Sequence, residues 1–154
     1  MSIPAYATNA VTCLAVKPGE RFQALVDEPF ADVGVTLAAA AVEVGAQATT
    51  VVVPDADRPL RHATDSFLAS LDATDAVVFW FANIYDGELA PFRLPIYRRL
   101  PETGTRLAFG GRMDREILET EMSADYGEVR ERCVRLLEAI VASAMIPSTW
   151  ICAW

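Results

Sequence analysis

Residues 21–53 carry a strand, helix, strand pattern that constrains the fold of this chain more than any other feature. The apolar run Phe22–Val26 ends at Asp27-Glu28-Pro29, a helical segment continues to Gly45, and a second β-branched run covers Ala48–Val53. Apolar residues recur along the helical segment at the spacing of one helix face: Phe30, Val33, Gly34, Leu37, Ala38 and Ala41. Together these segments predict a right-handed βαβ unit in a parallel sheet.

The same alternation continues to the end of the chain. The run Ala76–Phe81 is apolar throughout, which predicts a strand covered on both faces at the centre of the sheet. A fourth strand is expected at Arg106–Phe109, followed by a turn at Gly110-Gly111. Further helices are expected at 9–16, 65–71, 92–100 (where Pro95 starts or interrupts the helix), 113–122, and from Ser123 to a stop at Pro147.

These elements predict an α/β fold, a three-layer sandwich in which a mostly parallel sheet of about four strands has helices on both faces. This is the arrangement of Rossmann-like and flavodoxin-like domains. Residues 1–146 are expected to form a single domain. Residues 147–154 form an apolar tail whose Trp150, Ile151 and Trp154 would need a docking surface, and which could be the stub of a second domain.

Charge and composition exclude several classes of partner. The net charge is −8 and the 154 residues include only one lysine, Lys17, so an anionic nucleic acid is not an expected partner. No apolar run is long enough to predict a membrane-spanning helix, and the first residues lack the charged start of a secretion signal. The three cysteines, Cys13, Cys133 and Cys152, are widely spaced, which favours reduced thiols in the cytoplasm.

Polar residues after the strands are the candidate ligand-binding residues. Asp27 and Glu28 end the first strand, although capping of the next helix is the simpler role for them. Gly110-Gly111 with Arg112 could hold an anion through free amides and a guanidinium. Asn83 and Tyr85, with Asp86 and Glu88, follow the central strand as a substrate-contacting loop might, or as an ordinary solvated loop.

No catalytic set is complete in this sequence. His62 is the only histidine and stands in a polar loop over Pro54–Thr64, where a solvated side chain is the ordinary expectation. Cys133 falls on the apolar stripe of the last helix, which predicts burial in the core. A stand-alone enzyme for a small anionic substrate would require Asp27, Tyr85 and Arg112 to converge on one pocket.

Several stretches taken together resemble the N-terminal lobe of the aminopeptidase T family of thermophilic metallopeptidases. The resemblance covers about Val16 to Ala144 and rests on the order and spacing of these pieces: Lys17-Pro18-Gly19-Glu20-Arg21, Leu25-Val26-Asp27-Glu28-Pro29, Glu43-Val44-Gly45-Ala46, Leu71 to Val78, Gly110-Gly111 with Met113, and Asp125-Tyr126 with Val129, Arg132 and Leu136. A related branch resembles ferrous-iron dioxygenases that open dihydroxypyridine rings. The sequence departs from the family at Phe79–Glu88, where aromatic and acidic residues replace small and hydroxylated ones.

The resemblance implies a homodimeric, two-domain enzyme in which a later domain holds two divalent metal ions. This sequence ends about where that domain would begin, and no metal ligand of the family can be carried over to it. We therefore expect a noncatalytic lobe, without a cofactor of its own, that shapes a substrate cleft or pairs subunits. The open alternative is an enzyme or binding protein for a small anionic molecule or peptide.

Overall fold

The computed structural model describes residues 2–142, and for Ala142 only the backbone. Two compact units are distinguished, Met1–Ser123 and Ala124–Trp154. The first unit contains four strands, β1 (Arg21–Asp27), β2 (Gln47–Val53), β3 (Ala76–Phe81) and β4 (Arg106–Gly111), and five helices, α1 (Ala5–Cys13), α2 (Ala31–Glu43), α3 (Asp65–Asp72), α4 (Leu94–Thr103) and α5 (Arg115–Glu119). The second contains α6 (Tyr126–Ala142). The predicted domain, 1–146, spans both units and stays a prediction.

The four strands form one parallel sheet in the order β2-β1-β3-β4. All six residues of β3 are buried, which confirms the predicted central strand. The hydrophobic run of β3 has this character because helices cover both faces of the sheet. The predicted three-layer α/β architecture is therefore confirmed, and β2 and β4 are the edge strands.

Each face of the sheet has its own apolar core. On one face, here called face A, buried residues of α1, α2 and α5 pack against alternate strand residues such as Phe22, Val26 and Trp80. On the other, face B, residues of α3 and α4 pack against Leu25, Val77 and Phe79. Among the helices of residues 2–142, none combines the length and apolar character needed to cross a bilayer.

Helix α2 lies unusually close to the sheet at Gly34. A Cβ atom on this residue would lie 2.7 Å from Thr50 Cγ2 and 2.8 Å from Val26 Cγ2. The Thr50 hydroxyl donates a hydrogen bond to the Gly34 carbonyl at 3.1 Å. The helix ends as predicted, because Gly45 has φ +87°, a left-handed conformation that glycine adopts without strain.

The glycine pair after Phe109 does not form the predicted turn. Gly110 and Gly111 are the last residues of β4 and pair with Trp80 and Phe81 of β3. Side chains fill the space that Cβ atoms would need, since an added Cβ on Gly111 would overlap Ile84 Cδ1. The glycines therefore serve close packing, and the chain turns one residue later, at Arg112.

Two helix boundaries also differ from the expectation. Helix α1 begins at Ala5, four residues before the predicted start. The predicted helix 113–122 is reduced to α5, because the Asp114 carboxylate accepts a hydrogen bond from the Ile117 amide and so caps a helix that begins at Arg115. Before α4, a short π-helical turn at Leu89–Arg93 precedes Pro95, which lies in the first turn of the α-helix.

Helix α6 begins at Tyr126, directly after the predicted opening Ser123-Ala124-Asp125, and the Asp125 carboxylate accepts hydrogen bonds from the amides of Gly127 and Glu128. Cys133 is exposed, so its predicted burial is wrong in this structure. Large apolar side chains of the helix are exposed as well: Val129, Val134, Leu136, Leu137 and Val141. The expectations for Ala144, Pro147, Cys152 and the tail 147–154 fall outside the described residues.

Candidate functional site

The candidate site lies at the carboxyl ends of β1 and β3. The helix that follows β1 packs on face A, whereas the helix that follows β3 packs on face B. Ligands of doubly wound sheets bind in the crevice where neighbouring strands diverge in this way. Asp27 ends β1 and Asn83 follows β3, so two predicted site residues stand at this switch point.

Asp27 is fully buried and joins the two strand ends. Its Oδ1 accepts a hydrogen bond from the Ala82 amide at 3.0 Å, and its Oδ2 accepts one from the Asn83 amide at 2.9 Å. The expectation that Asp27 caps the next helix is wrong, because it makes no capping hydrogen bond to the 3-10 turn at Glu28–Phe30 or to α2. The amides of Ala82 and Asn83, just past the end of β3, donate to this carboxylate instead of the amides of the helix.

Glu28 does not cap the helix either. Its Oε2 accepts a hydrogen bond from the Asp55 amide at 2.9 Å. Asp55 opens a 3-10 turn, Asp55–Asp57, in the loop that follows β2. Glu28 therefore fixes the start of that loop beside the end of β1.

The same loop inserts Arg58 into the crevice. Its side chain is completely buried and forms two hydrogen bonds with the Glu88 carboxylate, from Nε to Oε1 at 2.5 Å and from Nη2 to Oε2 at 2.6 Å. Nη2 also donates to the Asn83 carbonyl at 3.0 Å. Nη1 lies at an ion-pair distance of 3.7 Å from Asp27 Oδ2 and has no hydrogen-bond partner within residues 2–142. The residues Asp27, Arg58 and Glu88 are called the buried ion cluster below.

Aromatic rings enclose the guanidinium of the buried ion cluster. Its central carbon lies 4.5 Å from the centre of the Phe81 ring and 4.6 Å from that of Tyr85. A planar guanidinium stacks well on such faces, and the contact strengthens when water is excluded. Tyr85 thus lies at the predicted edge, but it contacts Arg58 of the chain itself.

All four carboxylate oxygens of the buried ion cluster accept hydrogen bonds. Glu88 Oε1 accepts a further one from the Leu60 amide at 2.8 Å, in addition to that from Arg58. A metal ion or a substrate could use these oxygens only after breaking bonds that now satisfy buried charges. With both carboxylates ionised, the cluster carries a formal charge of −1, which disfavours an anionic ligand there.

The remaining predicted site residues do not join this cluster. Arg112 is exposed, has φ +57°, and its side chain makes no hydrogen bond or ion pair within the part of the chain described. The Asn83 side chain is exposed, and only its backbone takes part in the cluster. Gly110 and Gly111 serve strand pairing. Asp27 and Tyr85 both lie against Arg58, and the convergence of Arg112 with them on one pocket stays a prediction.

His62 lies at an open pocket of about 220 Å³ between β2 and the start of α3. The pocket is mainly apolar, with Val51, Phe67 and Phe92 among its walls, and Asp57 is its acidic residue. His62 is exposed and makes no hydrogen bond or ion pair to any residue in 2–142. Over the same residues, no three histidine, cysteine or acidic side chains are grouped closely enough to hold a metal ion.

Sequence reasoning missed the central residue of the site. In the sequence, Arg58 is one of several charged residues in the polar loop after β2. Glu88 is one of two acidic residues in the loop after β3. The two residues are 30 positions apart, and nothing local links them. The available signal was that both loops follow strands whose carboxyl ends meet at one edge of a parallel sheet.

Comparison with known proteins gives no family for this chain. No protein-family model matches it, and no curated protein matches it. A solved structure of a fatty acid ABC transporter substrate-binding protein from Thermomonospora curvata is similar at a TM-score of 0.46 and 14% identity, over 77% of this chain and 31% of that one. A structure titled as a putative enoyl reductase domain of polyketide synthase is similar at a TM-score of 0.41 and 18% identity, over 94% and 97%.

Neither structure carries an argument about function at these levels of similarity. The chain spans about a third of the length of the first of them.

Proposed function

We propose that this chain is a noncatalytic α/β lobe that serves subunit assembly or the wall of a substrate cleft in a metal-dependent aminopeptidase-like protein. The single observation that carries the proposal is the buried ion cluster. It occupies the crevice in which such a fold would bind a substrate, and it uses its own carboxylates internally. Divalent metal ions belong, on this proposal, to another domain of a full-length protein.

The chemistry of the remaining residues supports the same assignment. A two-metal hydrolase needs several carboxylate and imidazole ligands that hold the ions in a fixed geometry. His62 is exposed at the mouth of an apolar pocket, and Cys13 and Cys133 are free and exposed. Exposed free thiols suit a reducing compartment, so we place the protein in the cytoplasm.

The β4 edge is the surface that we propose for pairing with a second copy. β4 is an edge strand, so one side of its backbone is unpaired within the sheet. Phe109 of β4 is 46% exposed. Its ring also packs inward, with its centre 5.1 Å from the centre of the Tyr97 ring and 5.4 Å from that of the Phe79 ring. An aromatic side chain that is anchored in this way is a typical centre of a protein interface.

Two buried polar atoms on the neighbouring helical segment add to this surface. Tyr97 Oη and Arg93 Nε have no hydrogen-bond partner of good geometry among residues 2–142, although the two side chains lie close enough to interact with each other. Burial raises the pKa of the Tyr97 hydroxyl above its usual 10.0, against the opposing effect of Arg93. A second copy that pairs with β4 would bring backbone acceptors and another Phe109 ring to this region.

The experiment that tests noncatalytic function is an assay for release of 4-nitroaniline from leucine 4-nitroanilide. Purified protein is loaded in turn with Zn²⁺ and Co²⁺ and compared with a His62→Ala variant prepared in the same way. We expect no release above that of the variant. A rate that depends on metal and exceeds that of the variant would overturn the proposal.

A further inference from the structure

An open pocket of about 490 Å³ lies on face B, at the opposite end of the strands from the buried ion cluster. Strands β1 and β2 form its floor, and the end of α3 forms one wall. Thr49 and Val51 come from β2, and Ser70 and Ala73 come from α3 and its end. The pocket exists because the helices of face B leave the amino-terminal half of β2 uncovered, where Gln47 and Thr49 are exposed.

Gln23 of β1 also lines this pocket. The residue is only 4% exposed, yet its Nε2 has no hydrogen-bond partner among residues 2–142. The other atom of the amide, Oε1, lies 3.5 Å from the oxygen of the Thr74 hydroxyl, and the shorter hydrogen bond from that hydroxyl is to the Ser70 carbonyl at 3.1 Å. A buried amide therefore leaves an N–H₂ group unsatisfied beside an open pocket.

The strand pairing of β1 does not explain a buried polar side chain at this position. The strand partners of Gln23 are Thr49 and Val77, and every other residue of β1 between Phe22 and Val26 is apolar. An apolar side chain of similar size would fill the same space without losing hydration. A polar group that costs stability and faces a pocket is the pattern expected of a binding residue.

We propose that this pocket binds a small uncharged organic molecule with an apolar body and one carbonyl oxygen, which accepts a hydrogen bond from Gln23 Nε2. The lining of Val51, Ala73 and the Thr49 side chain suits an apolar body. Arg21, at the same pocket, is already paired with Asp75 at 3.6 Å, so no unpaired cation there calls for an anionic ligand. The site is separate from the crevice and does not depend on the proposed lobe function.

The chain offers a direct spectroscopic readout for this site. Gln23 and Gln47 are its only glutamines, and Asn9 and Asn83 are its only asparagines. A ¹H–¹⁵N spectrum of the full chain therefore contains four side-chain amide groups, and a Gln23→Leu variant identifies the signals of Gln23 by their loss. Acetophenone serves as the carbonyl-bearing probe, and ethylbenzene is the matched control with the same carbon skeleton and no oxygen.

We expect acetophenone to move the two Gln23 side-chain proton signals downfield in a saturable manner, while those of Asn9 and Asn83 stay in place. Ethylbenzene should cause no downfield shift of the Gln23 protons, because it offers no acceptor. Gln23 signals that do not move with acetophenone up to its solubility limit would overturn the proposal and leave a site that holds only water.

The Gln23→Leu variant separates a binding role from a structural one. The proposal expects the variant to melt at the same temperature as the wild type or higher, and to lose the backbone shifts that acetophenone causes around Thr49 and Ala73. A Gln47→Leu variant should keep those shifts at Ala73. Unchanged acetophenone shifts in Gln23→Leu would contradict the proposal, as would a large fall in its melting temperature.

Discussion

Arg58 and Glu88 form a two-point ion pair in which Nε and Nη2 of the guanidinium donate to separate oxygens of the carboxylate. The pair joins the loop after β2 to the loop after β3, and Asp27 adds the end of β1. Buried ions are tolerated only when each has a partner, because an unpaired charge away from water is very unfavourable.

Removal of the Arg58 guanidinium should destabilise the folded protein. We expect Arg58→Met to lower the free energy of unfolding by about 3–5 kcal/mol, because Asp27 and Glu88 would be left as buried carboxylates without a cation. Urea denaturation measures the loss. Arg61→Met, an exposed arginine of the same loop, is the matched control and should change the free energy by less than about 0.5 kcal/mol.

The cluster also predicts how a second substitution acts. Adding Glu88→Gln to Arg58→Met should recover part of the loss, because the double variant has one buried negative charge fewer. An Arg58→Met protein as stable as Arg61→Met would show that the cluster is not buried in solution.

The close approach of α2 to the sheet predicts the sign of a glycine substitution. On helix propensity alone, Gly34→Ala would stabilise α2 by about 1 kcal/mol. We expect the opposite, a loss of about 1–3 kcal/mol, because the new methyl group would overlap the stiff side chains of Val26 and Thr50. Thermal denaturation of Gly34→Ala, Thr50→Ser and the double variant tests this. Thr50→Ser removes the nearer methyl group, so the double variant should lose less than the sum of the two single changes.

Ion pairs near the surface predict an acid limit of stability. The hydrogen bond from Arg106 lowers the pKa of Glu20 below its usual 4.5, and that from Arg99 lowers the pKa of Asp72 below 3.8. Folded-state pKa values below those of the unfolded chain mean that the unfolded chain takes up protons first. The stabilisation is therefore complete above about pH 4.5 and is lost as the pH falls through the folded-state pKa values.

Urea midpoints measured from neutral pH to below 3.8 should therefore fall on acidification. The fall should be smaller in Asp72→Asn, which lacks one of the carboxylates whose pKa is lowered in the folded state. A midpoint that rises in acid, or an identical slope in the variant, would contradict this reading of the Arg99–Asp72 pair.

The proposed β4 interface predicts a change of mass with a single substitution. Sedimentation equilibrium should show a dimer for the wild type, and Phe109→Glu should shift it to monomer because a carboxylate would be buried against the second copy. Val35→Glu is the matched control, since Val35 is 63% exposed on α2, away from β4. A monomeric wild type, or a Phe109→Glu protein that stays dimeric, would exclude this surface.

Much of the scaffold was predictable because its signals are local. The unbroken run of β3 and the one-sided stripe of α2 each fixed an element type, and Gly45 fixed a helix end. Gly110 and Gly111 misled because a glycine pair usually indicates a turn. Here the two glycines are needed because the side chains of Met113 and Ile84 fill the space that their Cβ atoms would take. This need for space arises only when β4 pairs with β3.

The site was less predictable because its contacts are distant in sequence. Asp27 precedes a helix, which favours a capping role, yet its partners are amides 55 and 56 residues away. Gln23 was visible as one polar residue in an apolar strand, but its missing partner is a property of the packed structure. The stripe of α6 predicted burial for Cys133, and periodicity does not identify the surface that covers a helix.

The central claim is that Arg58 is withdrawn from solvent and engaged by the chain's own carboxylates. The most direct measurement is the ¹⁵N-edited spectrum of the arginine Nε–H groups, with the Arg58 signal identified by its loss in Arg58→Lys. We predict an Arg58 signal that exchanges slowly with water and stays in place when Zn²⁺ or leucine amide is added. An Arg58 signal that exchanges as fast as those of the exposed arginines, or that titrates with either addition, would contradict the account.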